Sequence, residues 1–158
     1  MHSPRPAASS QEDLDQFTTA LTAEARECLA AYERGRALRL AGDLFGAERV
    51  LLPATRPPSI YKGLYRELLM VYRAWNRIDF KSANPAAVVD RCGLMKQLDD
   101  EMIAEMLAYW SEAQQRELPA DYFDASRNYT GGDEKLRQRC LKEMGSVAGL
   151  RARKTAGK

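Results

Sequence analysis

The stretch GRALRLAGDLFGAERVLLPA, residues 35–54, sets the fold of this chain. Its small and large residues fall where two short antiparallel helices need them. Gly42 and Asp43 supply the turn. A glycine just past a helix end takes the left-handed conformation that closes the C-terminus, and an aspartate beside it accepts the first amide hydrogens of the next helix. Gly35 and Ala47 are then small residues on facing surfaces, which lets the two backbones approach closely. Leu38, Leu44 and Leu51 supply apolar packing around that contact. Pro53 falls inside the second helix, where the missing amide donor shortens or kinks it, and Pro57 with Pro58 ends the unit.

Beyond the prolines, Tyr61, Tyr65, Leu68, Tyr72 and Trp75 recur at intervals of three and four, one stripe of a helix that starts after Ser59. Such a stripe is first of all core packing; a ligand or base-stacking platform is the alternative. Asn76 is a plausible left-handed end for this helix.

Taken together, Gly35, Leu38, Gly42, Asp43, Leu44, Ala47, Leu51 and Ala54, with Pro58 behind them, have the spacing of small and large positions in a tetratricopeptide repeat. The chain resembles that family over residues 28–77, a helix-turn-helix unit of about 34 residues per repeat. Ala31 stands where the family often has an aromatic, and Pro53 is a second departure. Aligning Asp43 with Asp79 brings Leu44 onto Phe80 and Ala47 onto Ala83, a degenerate second unit at an offset of 36. The resemblance implies helical hairpins stacked into a short array whose first helices line a concave binding surface.

A chain of 158 residues fits one domain with a core of its own. No apolar run reaches the roughly 20 residues that span a bilayer, and the start, residues 1–10, lacks the apolar core of a secretion signal. A cytoplasmic, non-membrane protein is expected. Cys28, Cys92 and Cys140 are far apart and odd in number, a pattern of buried reduced thiols rather than of disulfides or a metal knuckle.

The net charge of +2 hides four blocks: −4 over residues 1–33, +6 over 34–77, −7 over 78–134 and +7 over 135–158. They either neutralise one another within the fold or present basic surfaces to an acidic partner.

In order, residues 1–10 should be disordered, too rich in proline and small polar residues to bury much. Ser10 and Asp13 read as a capping box opening a helix through Leu14, Phe17, Leu21, Ala25, Cys28 and Tyr32. A break at Thr18, Thr19 or Thr22 would leave a short leading helix before the hairpin. Asn84 and Pro85 start another helix; its apolar positions, Val88 to Trp110 with Met95, Met102 and Met106 among them, run to about Glu117, with Gly93 or Asp99 and Asp100 as possible divisions. The methionines read as core, with an adaptable groove as the alternative. Residues 120–132 form a loop whose Tyr122, Phe123 and Tyr129 pack back on the domain. Asp133 caps a last helix that Gly145 closes, which leaves a single all-α domain over residues 11–145 and a basic flexible tail over 146–158.

Catalytic equipment is sparse. His2, the single histidine, lies in the proline-rich start, which removes the usual general base and the Ser-His-Asp and Cys-His arrangements together. Asp99, Asp100, Glu101 and Glu105 read as a solvated helix face. Gly131 and Gly132 precede a helix, but Asp133 and Glu134 would repel a phosphate there. A non-enzyme with no cofactor and no metal is expected.

The function expected is that of an adaptor, chaperone or assembly subunit. On the repeat-like arrangement, Tyr32, Arg36 and Arg39 from one helix and Arg66 and Arg73 from the next line the inner surface, where arginine forks would hold the carboxylates of an acidic peptide or of another protein. Self-association is a further expectation, because short helical arrays expose their end faces. The competing class is nucleic-acid binding through the basic residues 34–77, their interleaved aromatics and the basic tail.

Overall fold

The computed structural model describes residues 11–156, with side chains at Gln11 and over residues 22–146. The proline-rich start expected to be disordered, and Ser10 of the expected capping box, lie outside the described residues. The described chain is all-α: α1 Gln11–Leu40, α2 Leu44–Ala54, α3 Lys62–Lys81, α4 Pro85–Tyr109, α5 Glu112–Arg116, α6 Tyr122–Ala125 and α7 Gly131–Ala156.

The turn between α1 and α2 forms as its residues dictate. Gly42 has φ 85°. Its amide donates to the Arg39 carbonyl at 3.0 Å, and the Asp43 amide donates to the Leu38 carbonyl at 2.9 Å, the paired closure of a left-handed helix end. The Asp43 carboxylate then accepts from the Gly46 amide at 2.8 Å and caps α2. Gly35 is where the helices touch: a Cβ built there would stand 2.3 Å from Leu51 Cγ. Pro53 is tolerated near the end of α2, which stops one residue later.

A second hairpin, α3 with α4, closes by the same device in an unexpected place. The Asn84 amide donates to the Asp79 carbonyl at 2.8 Å and the Ala83 amide to the Phe80 carbonyl at 3.2 Å, with Ala83 at φ 56°. The helix therefore does not end at Asn76, which is buried mid-helix. There it accepts from the Arg91 guanidinium at 2.9 Å. Asn84, the cap expected before Pro85, occupies the N-cap position 41 residues after Asp43, but unlike Asp43 its side chain makes no capping hydrogen bond. Asp79 lies inside α3, paired with Arg91 at 2.7 Å, so the alignment on Asp79 sets a turn residue against a helical one.

Three more boundaries differ from expectation. α1 is unbroken past Thr18, Thr19 and Thr22, since threonine lowers helix propensity by only a fraction of a kcal/mol per residue. α4 is undivided at Gly93 because its buried face, from Val88 through Cys92, Met95 and Leu98 to Met106, continues on both sides. Burial of each such side chain is worth ~1.5–3 kcal/mol, against about 1 for a glycine in a helix. It ends at Tyr109; Trp110 is extended, and Ser111 with Gln114 forms a capping box for α5. The last helix passes Gly145 and continues to Ala156, so Arg151, Arg153 and Lys154 are helical. Its cap is Thr130: Thr130 Oγ1 accepts from the Asp133 amide at 3.2 Å and Asp133 accepts from the Thr130 amide at 2.8 Å.

Packing runs in sequence. α1 lies against α2 and α3, α2 against α3, α3 against α4, and α4 against α7. The main core joins Ala47 and Leu51 of α2 to Leu64, Tyr65, Leu68, Leu69, Val71 and Tyr72 of α3 and to Met95, Leu98, Met102, Ile103 and Met106 of α4. The methionines are thus core, and Tyr122, Phe123 and Tyr129 pack against it as expected. Val88, Cys92 and Cys140 form a smaller cluster between α4 and α7.

Candidate interaction face

One face of α3 stays outside the core. At about 100° per residue, Lys62, Arg66, Met70, Arg73 and Arg77 fall on a single row, opposite the buried Leu64, Leu68, Val71 and Tyr72. Two elements flank it. On one side α1 runs parallel: the Tyr32 ring covers Gly63, whose built Cβ would stand 3.5 Å from Tyr32 Cδ1, and further along Arg39 clasps Glu67 with both arms of its guanidinium. On the other side lies the segment 122–133. Lys62 sits 5.1 Å over the Tyr122 ring, and Arg73 donates to Asp133 at 2.9 and 2.7 Å and to the Asn128 carbonyl at 2.9 Å.

That segment is itself anchored from α4. Asp99 accepts from the Asn128 amide at 2.8 Å, the Asn128 side chain at 3.3 Å and the Tyr129 amide at 2.6 Å. Asp99 is therefore buried and structural, a correction to the expectation of a solvated acidic face. Asp100, one residue on, is exposed and pairs with Arg127. Burial pushes the Asp99 carboxyl above its ordinary value, against these hydrogen bonds. For Asp133 the balance is reversed: burial raises its pKa, but the Arg73 guanidinium and Thr130 outweigh it and hold it below the ordinary value.

Of the five residues expected at a binding surface, Tyr32 and Arg39 contact α3 from α1, while Arg66 and Arg73 lie on the outward row of α3, and the five are not equivalent. Arg39 and Arg73 are bound into internal ion pairs, and their partners Glu67 and Asp133 are buried; these two arginines fix the walls. Tyr32 is half-buried as the packing contact between α1 and α3. Arg36 and Arg66 are exposed, and among the described residues neither has a hydrogen bond or ion-pair partner. Arg77 is a further exposed cation in the row, without such a partner among the described residues. Its position four residues after Arg73 was the signal for it. Whether an arginine is free or paired depends on acids 28 and 60 residues away in the chain, and local spacing carries no record of them.

The aromatic stripe packs largely into the core. Tyr65 and Tyr72 are fully buried. The Tyr72 hydroxyl donates to Glu48 at 2.7 Å, and burial with this bond pushes its pKa upward. Trp75 is half-buried, with the Arg91 guanidinium 4.8 Å above its ring. The three thiols are free, and burial raises the pKa of each.

No helix among the described residues is long and apolar enough to cross a membrane. No group of three or more His, Cys, Asp or Glu side chains among them is placed to hold a metal ion. The chain matches no protein-family model, no curated protein and no solved structure.

Proposed function

We propose that this chain is a non-enzymatic protein-interaction module, an adaptor or assembly subunit, that takes an acidic segment of another protein along the seam between α1 and α3. One observation carries the reading. In rows where Arg39 and Arg73 are locked to buried carboxylates, Arg36 and Arg66 are exposed and have no ion-pair partner among the described residues. The locked pairs hold the helices in place, and the free guanidiniums present forked donors suited to carboxylates. Exposed ion pairs contribute only about 0–1 kcal/mol each, so binding depends on several contacts made together and is steered by the local positive field.

The test is fluorescence anisotropy of the full chain with a labelled glutamate-rich peptide. Charge reversal at both Arg36→Glu and Arg66→Glu is expected to weaken binding at least tenfold, and added salt to weaken it in the wild type. Unchanged binding in the double variant refutes the reading. Nucleic acid is tested in the same assay: tight binding of single- or double-stranded probes with a steep salt dependence would transfer the basic face to a polyanion partner.

A further inference from the structure

Residues 111–130 run as a strap from the end of α4 to the start of α7 and flank the basic row on α3. Their hold on the body is mainly polar. Neither α5 nor α6 contains a buried residue, and Ser126 is the one buried residue between Trp110 and Asp133. Tyr122 and Phe123 rest half-buried on the core as an edge-to-face pair. At the far end the strap is clamped: Asp99 accepts from the Asn128 and Tyr129 amides, and Arg73 donates to the Asn128 carbonyl at 2.9 Å. At its start the Gln115 side chain donates to the carbonyls of Leu107 and Trp110 at 3.2 and 3.0 Å. A segment that buries so little apolar surface opens on its own while the helices beneath it stay folded.

We propose that this strap is a lid that opens as one unit and, while closed, withholds Lys62 from the acidic segment assigned to the face above, an inference that rests on that reading. Lys62 stands one turn before the exposed Arg66 in the basic row. With the strap closed, its ammonium lies 5.1 Å over the Tyr122 ring and 3.5 Å from the Ser126 hydroxyl. Both partners belong to the strap, so opening leaves Lys62 free beside Arg66. The strap is itself an acidic segment: Glu112, Glu117, Asp121 and Asp124 against Arg116 and Arg127, a net −2. Asp121 and Asp124, exposed on either side of Tyr122 in the chain, leave the row with it. Arg73 loses the Asn128 carbonyl but keeps Asp133, which belongs to α7, so the wall it fixes stays in place. An acidic ligand that uses Lys62 binds the open form better and shifts the strap toward it. By the same linkage, whatever loosens the strap raises the apparent affinity.

Native-state hydrogen exchange of the full chain, read by mass spectrometry, tests the lid without any ligand. The Asn128 and Tyr129 amides are bonded to a buried carboxylate, so in a fixed loop they exchange as slowly as the core of α4. Expected instead is a shared opening of residues 112–130, with exchange at least about tenfold faster than in buried α3 and α4. Binding is read by anisotropy with the labelled glutamate-rich peptide. Tyr122→Ser with Phe123→Ser loosens the strap without changing charge; it is expected to speed exchange over 112–130 alone and to tighten the peptide at least about threefold. Adding Lys62→Ala should cancel that gain, while the same substitution in the native chain changes binding less than about twofold. Exchange at 128 and 129 as slow as in α4, or acceleration spread through α3 and α4, overturns the lid. Binding no tighter in the loosened variant, or a gain that survives Lys62→Ala, overturns the withholding of Lys62. If charge reversal at Arg36 and Arg66 still weakens the native chain in that case, the acidic-segment reading stands alone. A peptide that binds neither the native chain nor the loosened variant removes that reading and the gating with it, whatever the exchange shows.

Discussion

Replacing Gly35 by alanine tests the close approach of α1 and α2. In an exposed helix this change stabilises by about 1 kcal/mol, because glycine has more backbone freedom to lose. At Gly35 the new methyl would stand 2.3, 2.5 and 2.7 Å from the three outer carbons of Leu51, well inside contact distance. Leu51 is fully buried, and close-packed interiors leave few voids for a side chain to move into. Overpacking of that kind costs ~1–3 kcal/mol, so Gly35→Ala is expected to destabilise by about 1–2 kcal/mol despite its better helix propensity. Leu51→Ala alone removes a buried side chain and leaves a cavity, at ~2–5 kcal/mol. Together the two substitutions relieve each other, since the added methyl occupies space the leucine vacated. Urea unfolding followed by circular dichroism gives the four corners of a double-mutant cycle. A coupling of more than about 1 kcal/mol is expected, where independent sites add to within ~0.5 kcal/mol. Gly93→Ala supplies the contrast: a Cβ there meets nothing within 4 Å, and a gain of up to ~1 kcal/mol is expected. Additivity at Gly35 and Leu51, or stabilisation by Gly35→Ala as large as at Gly93, would refute the close approach.

Other outcomes follow from the same geometry. Ala83→Gly relieves a left-handed alanine at the end of α3 and should raise stability by about 1 kcal/mol, read as a higher urea midpoint at unchanged slope. Tyr72→Phe deletes the hydroxyl that donates to Glu48 and should cost ~1 kcal/mol, checked by thermal unfolding. Arg73→Met strands the buried Asp133 carboxylate and should cost about 3 kcal/mol, with part recovered when Asp133→Leu is added; urea unfolding of the two variants decides. Because Asp133 is held below its ordinary pKa, its contribution to stability is present above about pH 4 and is lost as pH falls through the folded value. The stability gap between wild type and Asp133→Asn should therefore narrow steadily as pH falls from about 4 toward 2, and a gap that widens on acidification would contradict the pairing.

Local chemistry was legible wherever one residue type meets one backbone requirement. Gly42 and Asp43 announced the first turn, Asn84 and Pro85 the start of α4, and the period of Tyr65, Leu68 and Tyr72 the buried face of α3. Ala83 carries no such signal, because alanine rarely adopts positive φ and is held there by the two backbone hydrogen bonds that close the helix. Asn76 gave the opposite error: its type suits a helix end, but Arg91 and the packing of α4 keep it within one. Asp133 was read as the cap of α7, where Thr130 and Asp133 cap it reciprocally.

By itself, then, the sequence determined an all-helical chain, its first hairpin and the row of basic residues on α1 and α3, since these follow from period, turn chemistry and residue type over a few positions. Tertiary structure alone decided which of those arginines are free. Glu67 captures Arg39 from the neighbouring helix and Asp133 captures Arg73 across 60 residues of chain, while no described acid reaches Arg36 or Arg66. It likewise buried Asp99 within a run of acids, to hold the amides of residues 128 and 129. Hydrogen bonds and charge pairing act over about 3 Å in space, and the distances that matter to them are set by packing, not by position along the chain.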